Sequence, residues 1–316
     1  MDAMSTTKAF GISFVMPVRN EERYLSRAVE SVLSQRHDGG QELILAVAPS
    51  FDSTEVIIAN LKRQHRSKLV VLRNSDLVSA SGLNLAIQAA KFDIVIRVDA
   101  HSILSEDYAS LAQEILRDSG AANVGGMMIA DGESNFQKAV AHCYNNRIGL
   151  GGGAFHLGGK AGPVETVYLG CFQKSWLEKV GGFDPKWVRG QDWELNKRIR
   201  KAGGTVWFDP RLKVKYYPRG NLWALAKQFF KTGVWRGALT RSAPGQSAIR
   251  YWIPPLLVLS TILVLPVVLY LLTIALAAWG ATGLNPASRL WLIFVLPTMH
   301  YAWGIGFWWG LAGGAR

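Results

Sequence analysis

The sequence is poor in cysteine, and its acidic residues and tryptophans are each confined to one part of the chain. Only Cys143 and Cys171 are cysteines among the 316 residues, which excludes a disulfide scaffold and suits a reduced compartment. No acidic residue follows Asp209, and no tryptophan precedes Trp176. A hydrophobic content of 49% excludes a disordered chain. The length accommodates one large domain or two ordinary ones, and the uneven distribution indicates that the chain changes character along its length.

Charged side chains are missing from most of the C-terminal region. The windows 251–288 and 290–315 contain none, and each is long enough for a membrane span of about twenty residues. We expect spans at 253–278 and 290–312, joined by a turn that contains glycine, asparagine and proline. The sequence therefore predicts a transmembrane helical hairpin, with a buried helical pair in a soluble domain as the alternative.

Basic residues flank the first predicted span. They are Lys227, Lys231, Arg236, Arg241 and Arg250, whereas the predicted connecting loop holds only Arg289. Because cytoplasmic flanks carry the excess of Lys and Arg, we expect the N-terminal part of the chain in the cytoplasm. The first ten residues lack the apolar core of a signal peptide. Residues 221–241 have the pattern of a basic amphipathic helix, which can lie in the headgroup plane.

Strand and helix patterns alternate over the first hundred residues. Short apolar runs typical of strands occur at 10–16, 43–48, 68–72 and 93–98, and helical patterns lie between them at 22–35, 53–63 and 81–90. This alternation predicts an α/β fold with a parallel sheet covered on both faces. Ligands of such sheets bind beyond the carboxyl ends of the strands.

Polar residues follow three of these strands, at 17–22, 49–54 and 97–102. The first segment could equally be a helix start with acids placed for the helix dipole, and the second an ordinary helix cap. In the third segment, Asp99 and His101 are alternate residues of an extended chain. They therefore point the same way and could share a cation.

Six segments, taken in order and spacing, resemble the nucleotide-sugar-dependent glycosyltransferases of family 2, which have the GT-A fold. They are VMPVRNEE (15–22), SFDST (50–54), GLN (82–84), VDAH (98–101), GGFD (181–184) and QDWEL (191–195). The match spans roughly 12–236. Within the family, RVDAHS (97–102) and YYPR (216–219) are most similar to the exopolysaccharide glucosyltransferases of the succinoglycan type. The resemblance implies a GT-A catalytic domain at 1–220, a basic interfacial segment at 221–250 and two transmembrane helices at 251–316.

The resemblance also implies a donor site with a metal. When the sugar leaves a nucleotide diphosphate, negative charge grows on the bridging oxygen, and a divalent cation can stabilise it. Asp99 and His101 would bind that cation, with His101 in place of the second aspartate of the family's D-x-D motif. An imidazole suits Mn²⁺ better than Mg²⁺, but both stay open. The nucleotide-sugar-binding residues so implied are Pro17, Arg19, Glu21, Asp52, Asn84, Arg97 and Asp99.

One departure from the family concerns the nucleotide base. Family members commonly carry aspartates before the S-x-D segment, one of which reads uracil, and this chain has Val47, Ala48 and Pro49 there. Base recognition must then come from elsewhere, with Arg19, Glu21 and Asp52 as candidates. A UDP-sugar donor is thus an inference from the family.

Asp192 matches the family's catalytic base, which takes the proton of the acceptor hydroxyl. A base that acts from the face opposite the leaving group implies inversion at the anomeric carbon. The alternative is an acidic helix start balanced by the cations of residues 197–200. The implied acceptor-binding residues are Gly170, Cys171, Phe172, Gln191, Trp193, Glu194, Arg219, Trp235 and Arg236. Cys171 is also readily interpreted as a small packing residue, because inverting transfer needs no thiol nucleophile.

The segment 145–162 is rich in glycine, so it is an unlikely core element and is predicted to be a mobile loop over the site. A phosphate-binding P-loop is the rival interpretation, and the segment lacks the residues that it needs. Two spans are few for a polymer-conducting pore, so we expect addition of a single sugar.

We therefore expect a membrane-anchored, inverting, metal-dependent hexosyltransferase that uses a nucleotide sugar, with a UDP-sugar favoured. Its acceptor would be a polyprenyl-diphosphate-linked saccharide, whose phosphates would meet Lys227, Lys231 and Arg236 next to the membrane lipid. A polyprenyl-phosphate sugar synthase and a catalytically silent GT-A scaffold are the alternatives. A nucleic-acid partner is not expected despite the net charge of +12, because the basic residues cluster beside the predicted spans. The oligomeric state stays open.

Overall fold

A computed structural model of the chain describes residues 11–150, 152–242 and 248–314. Phe10, the first residue of the first predicted strand, lies outside this range. The chain folds into two compact units. The sheet unit comprises Met1–Ile129 and Gly158–Tyr216, and the helical unit comprises Ala130–Leu157 and Tyr217–Arg316. The division thus falls after Tyr216, and the helical unit also includes most of the glycine-rich segment.

The strands and helices follow one another as the alternating pattern predicts over the first hundred residues. The strands are β1 Gly11–Val18, β2 Gly40–Val47, β3 Leu69–Arg73, β4 Ile94–Arg97, β5 Ser102–Leu104, β6 Asn123–Ala130, β7 Gly162–Pro163, β8 Tyr168–Gln173 and β9 Val206–Tyr216. The helices are α1 Leu25–Leu33, α2 Thr54–Gln64, α3 Ser79–Ala89, α4 Tyr108–Ser119, α5 Asn135–Tyr144, α6 Arg147–Leu150, α7 Ala154–Leu157, α8 Lys174–Lys179, α9 Gln191–Lys201, α10 Leu222–Ser242, α11 Ile253–Ser260, α12 Val264–Gly280 and α13 Pro286–Leu311. A short 3₁₀ turn, Ile249–Trp252, precedes α11.

The sheet has the order β3-β2-β1-β4-β8-β6-β9-β5, with β7 paired to β9. Strands β3, β2, β1 and β4 are parallel, as predicted. The expectation of a parallel sheet is wrong beyond β4, because β8 runs antiparallel to β4 and the later strands continue antiparallel. The result is a mixed sheet. Because β1, β2 and β4 run parallel, their carboxyl ends meet at one edge of the sheet.

Both faces of the central strands are covered. Strand β1 is buried along nearly its whole length, which explains why it is apolar without alternation. Helices α1, α2 and α4 join Ile12, Phe14 and Met16 in one core. Helix α3, with the buried residue Leu83, contacts β1 and β2. The helices therefore hold the strand ends in a fixed frame.

In the helical unit, α10 packs along α13 through glycines on both helices. A Cβ on Gly233 or Gly237 of α10 would clash with carbonyl oxygens of α13, and a Cβ on Gly306 or Gly310 would clash with carbonyl oxygens of α10. Residues later in α10 contact residues later in α13, so the two helices run parallel. Small residues at such positions let helix backbones approach closely. The basic helix predicted at 221–241 is thus one half of a tight helix pair.

The first predicted span, 253–278, is divided between α11 and α12. Pro266 lies in the first turn of α12, where its missing N–H costs no hydrogen bond, but the same residue cannot continue a helix from α11. In the described part of the chain, one helix is long and apolar enough to cross a membrane. This is α13, with 26 residues and a mean hydropathy of 1.4, and the apolar helix α12 is shorter.

Candidate active site at the carboxyl edge of the sheet

The loops after β1 and β2 are tied to each other by side chains. Asn20 donates its backbone N–H to Ser50 Oγ at 3.0 Å, and its own Oδ1 accepts the N–H of Phe51 at 2.9 Å. Asp52 accepts the N–H of Glu22 at 3.2 Å. Asn20 has a φ of 54°, a left-handed conformation that asparagine tolerates better than most residues. The first two polar segments therefore form one rigid rim.

Arg97, at the end of β4, joins the third polar segment to the QDWEL segment. Its Nη2 donates to Asp99 Oδ1 at 2.9 Å, and its Nη1 donates to Asp192 Oδ1. The guanidinium is buried, with 8% of the side chain exposed, whereas Asp99 is 19% and Asp192 40% exposed. A planar guanidinium can serve two carboxylates at once because its donors diverge in a fixed fork. Two acids 93 positions apart in the chain thus lie beside one cation.

The two carboxyl groups differ in pKa. Burial raises the pKa of Asp99, but the charge of Arg97 and its hydrogen bond to Asp99 oppose this effect, and the pKa lies below its ordinary value. Burial and the charge of Asp99 raise the pKa of Asp192 despite the opposing charge of Arg97. The side chain of Asp192 still keeps 40% of its surface open. A carboxylate with a raised pKa and an open surface is suited to take a proton.

His101 and Asp99 form the candidate metal site. His101 Nδ1 lies 2.9 Å from Glu21 Oε1, and its ring packs edge-on against Tyr216 at 5.3 Å between centroids. No group of three or more His, Cys, Asp or Glu side chains among the described residues could hold a metal. One carboxylate and one imidazole nevertheless suit Mn²⁺, because cations at phosphate sites take further oxygens from the phosphates and water. The donor set therefore fits a cation that binds together with a diphosphate.

Helix α9 separates the roles of its two acids. Glu194 accepts two hydrogen bonds of 2.6 Å from Arg198, one turn along the helix, so Glu194 is the acid balanced by the helix cations. Asp192 instead turns to Arg97. Two buried polar atoms beside it, Gln191 Oε1 and Arg97 Nε, have no partner among the described residues. A buried polar atom without a partner calls for an explanation, such as a bound water, an ion or a catalytic role.

The sequence pattern of the glycosyltransferase-like family 2 matches residues 10–233, well over half of the chain. The chain belongs to this family. It is 26% identical to the succinoglycan biosynthesis protein ExoA of Rhizobium meliloti (strain 1021), over 97% of this chain and 96% of that protein. It is 24% identical, over 73% of this chain and 74% of the relative, to a dolichyl N-acetyl-α-D-glucosaminyl phosphate 3-β-D-2,3-diacetamido-2,3-dideoxy-β-D-glucuronosyltransferase of Methanococcus voltae.

A solved structure supports the GT-A fold of this family 2 chain. The mannosyltransferase PcManGT from Pyrobaculum calidifontis, in complex with GDP-Man and Mn²⁺, superposes with a TM-score of 0.59 at 16% identity. The superposition covers 92% of this chain and 85% of the mannosyltransferase. Family and fold are thus as the sequence segments predict. The chain is a glycosyltransferase whose relatives include proteins of exopolysaccharide and lipid-linked glycan synthesis.

Asn84, predicted to bind the nucleotide sugar, connects two family segments. Its side-chain amide donates to the carbonyl of Phe183 at 2.7 Å and accepts the N–H of Phe183 at 2.8 Å. Gly182 has a φ of 68°, and a Cβ there would meet Asn84 Oδ1. The GLN and GGFD segments therefore occur together because they form one structural joint, which uses both polar groups of the Asn84 side chain.

Three residues predicted to bind the acceptor lie inside the sheet. Cys171 faces Ile96 of β4 and is fully buried, and Phe172 is 3% exposed. Burial raises the pKa of the Cys171 thiol. Gly170 lies between the Phe172 ring and Asn123, where a Cβ would clash. Since a buried side chain offers no surface to a ligand, Cys171 and Phe172 are packing residues in this structure.

The other predicted residues are more accessible. Pro17 pairs with Ala46 in the β1–β2 register, and Arg19, two residues further on, is exposed. Trp193 is partly buried and carries Lys197 Nζ 5.1 Å from its ring centroid.

Three predicted acceptor-binding residues belong to the helical unit. Arg219 Nε donates to Gln228 at 3.2 Å. Arg236 lies over the rings of Tyr251, at 3.9 Å, and of Trp235, at 4.5 Å. These contacts hold the guanidinium of Arg236 beside the start of the apolar helices.

Sequence reasoning gave no role to Asn20 or to Phe183. Asn20 fixes the rim, and its position directly after a strand end was the available signal, because asparagine favours turns. Phe183 has the Arg97 guanidinium 5.9 Å from its ring centroid. No sequence signal links Arg97 with Phe183, since their contact depends on the joint that Asn84 forms.

Proposed function

We propose that this chain is a membrane-anchored, inverting glycosyltransferase that transfers a hexose from a nucleotide sugar to a lipid-linked saccharide. The product would be part of an extracellular or cell-envelope polysaccharide. The observation that carries the proposal is the Arg97 bridge, which places the metal-site acid Asp99 and the base candidate Asp192 beside one cation. The functions of the relatives, succinoglycan biosynthesis and transfer to a dolichyl-linked sugar, support this acceptor class.

In this proposal, the donor binds at the rim formed by the loops after β1 and β2. Asp99 and His101 would hold a divalent cation, Mn²⁺ or Mg²⁺, which would offset the charge on the departing nucleotide diphosphate. Arg19 and Asp52 lie in the rim loops and are the candidates to recognise the nucleotide base. We favour a UDP-sugar as donor.

Asp192 would act as the general base. It accepts the proton of the acceptor hydroxyl, whose oxygen then bonds to the anomeric carbon as the bond from that carbon to the diphosphate oxygen breaks. Because the hydroxyl approaches from the face opposite the diphosphate, the configuration inverts. Arg97 keeps the Asp192 carboxylate in place, and the raised pKa of Asp192 makes it a stronger base than an ordinary aspartate. Gln191 and Trp193, on either side of Asp192, would contact the acceptor.

The helical unit would be the membrane anchor. Helices α11, α12 and α13 leave many large apolar side chains exposed, among them Leu256, Leu259, Val264, Leu265, Leu269, Leu271, Leu272, Leu276, Ile293, Phe294 and Ile305. Such a surface is far from the norm for a soluble protein. We propose that this apolar surface on α11, α12 and α13 enters the bilayer and anchors the chain. The flanking Lys and Arg residues support a cytoplasmic catalytic unit.

The lipid acceptor would be a polyprenyl-diphosphate saccharide. Lys227 and Lys231 are exposed on α10, next in the chain to the apolar helices, and Arg236 is held by Tyr251. Cations at this level would bind the phosphates of the carrier while its tail stays in the bilayer.

Purified full-length protein in detergent tests the proposal. It is given a panel of nucleotide sugars, Mn²⁺ and a polyprenyl-diphosphate saccharide, and nucleotide diphosphate release is measured with and without the lipid acceptor. We expect release with one donor, dependent on the acceptor and abolished by EDTA. No release above the protein-free blank with any donor would overturn the proposal.

A further inference from the structure

Glu21, in the rim, forms a pair with His101 of the third polar segment. Glu21 Oε1 lies 2.9 Å from His101 Nδ1, and the two side chains are 17% and 19% exposed. The residues come from different segments, one after β1 and the other after β4. A carboxylate therefore lies directly behind the imidazole of the D-x-H segment.

The chemistry of the pair determines which ring nitrogen carries a proton. An ionised carboxylate can only accept hydrogen bonds, so His101 Nδ1 must be the donor. In the neutral imidazole the lone pair then resides on Nε2. Glu21 thus selects the tautomer in which Nε2 is the nitrogen able to coordinate a metal.

Other residues fix the positions of both Glu21 and His101. The backbone N–H of Glu21 donates to Thr54 Oγ1 at 2.8 Å, and its carbonyl accepts the N–H of Leu25 at 3.0 Å. The His101 ring packs edge-on against Tyr216, a residue paired with Ser102 in the β5–β9 register. The orientation of the imidazole is therefore fixed by Glu21, in the loop between β1 and α1, and by Tyr216 on β9.

We infer that Glu21 is a positioning residue for the metal ligand His101 and does not read the nucleotide base. The inference rests on the proposed metal-dependent transfer. A carboxylate behind a metal-bound histidine fixes its tautomer and orientation and raises its basicity. Glu21 would in this way supply the negative charge that the second aspartate supplies in a D-x-D motif. Arg19 and Asp52 then remain as the residues for base recognition.

The test is Mn²⁺ binding to the full chain in detergent at a fixed concentration of UDP. The free-ion EPR signal is followed against a blank that contains UDP without protein. The variants are Glu21→Ala, Glu21→Gln, His101→Ala and the double variant Glu21→Ala/His101→Ala. The matched control is Glu30→Ala, which removes another glutamate–histidine contact of 3.1 Å, between Glu30 and His65 on α1 and after α2. Thermal unfolding of each variant shows whether it is folded.

We expect Glu21→Ala to weaken Mn²⁺ binding about 10- to 100-fold and Glu30→Ala to leave it unchanged. Glu21→Gln should lose less than Glu21→Ala, because the amide oxygen can still accept from Nδ1. In the His101→Ala background, Glu21→Ala should have almost no further effect. An equal loss in both backgrounds would mean that Glu21 acts independently of His101. Unchanged Mn²⁺ binding in Glu21→Ala would mean that Glu21 does not support the metal. Either result overturns the inference. If the wild-type chain binds no Mn²⁺ beyond the blank, the proposed metal site itself fails, and the inference fails with it.

Discussion

The interactions that stabilise the sheet unit differ from those that stabilise the helical unit. At the carboxyl edge of the sheet, side chains far apart in sequence meet through directed contacts, such as Arg97 with Asp192. In the helical unit, α10 and α13 meet backbone to backbone at glycines, with large apolar side chains outside. In water, burial of apolar surface drives packing, so polar groups can be reserved for a site. In the lipid environment proposed for the helical unit that drive is absent, and close packing of small residues takes over.

The largest expected effect is on the site of the sheet unit. Asp192→Asn keeps the shape of the side chain but cannot accept a proton, so transfer to a hydroxyl acceptor should fall about 10²- to 10⁴-fold. The measurement is kcat for nucleotide diphosphate release with the lipid-linked acceptor. Asp118→Asn is the matched control, because Asp118 is exposed on α4 and pairs only with its neighbour Arg117 among the contacts described.

The same variant separates two acceptor classes. A phosphate acceptor is already ionised and needs little base catalysis. Transfer to polyprenyl phosphate that survives in Asp192→Asn would favour the sugar synthase alternative over transfer to a hydroxyl.

The next effect concerns the glycine contacts of the helical unit. Gly237→Ala would place a Cβ against the carbonyl of Phe307, and we expect a loss of about 1–3 kcal/mol in stability. Gly280→Ala is the control, since no atom lies within 4 Å of a Cβ there. Thermal unfolding in detergent should show a lower Tm for Gly237→Ala alone. Equal Tm values for the two variants would show that the α10–α13 approach does not depend on glycine.

The smallest expected effect is a shift in pH dependence. Burial and Asp99 raise the pKa of Asp192, and a base works only when deprotonated, so kcat should fall as the pH drops through this raised pKa. Arg97→Gln removes a positive charge that favours the carboxylate. The pKa of Asp192 then rises further, and the acid limb of the kcat profile should move to higher pH.

Arg198→Gln is the control for that shift. It removes a cation from α9 that pairs with Glu194 rather than with Asp192, and it should leave the acid limb in place. Identical acid limbs in Arg97→Gln and the wild type would contradict the assignment of Asp192 as the base.

The sequence was informative wherever a local pattern decides the structure. Alternating apolar runs predict β1 to β4 and α1 to α3 to within a few residues, because buried strands and amphipathic helices have distinct periods. The polar segments after three strands predict the edge at which the candidate site lies. The division of the first span was also readable in principle, because Pro266 cannot continue a helix.

The sequence was less informative wherever a partner lies far along the chain. Asp192 and Glu194 are equivalent by local pattern, and only the folded chain assigns Arg97 to one and Arg198 to the other. Cys171 was expected at the acceptor, but β8 runs antiparallel inside the sheet and buries it. Strand order beyond β4 depends on long-range pairing, which no local pattern contains.

The central claim is that Asp99 and Asp192 form one site through the shared cation of Arg97. A double-mutant cycle of Arg97→Gln and Asp192→Asn, read as unfolding stability in detergent, tests it most directly. Arg97→Gln leaves two carboxylates facing each other, so it should cost more in the wild type than in the Asp192→Asn background, with a coupling of about 0.5–3 kcal/mol. Additive losses, to within about 0.5 kcal/mol, would contradict the claim.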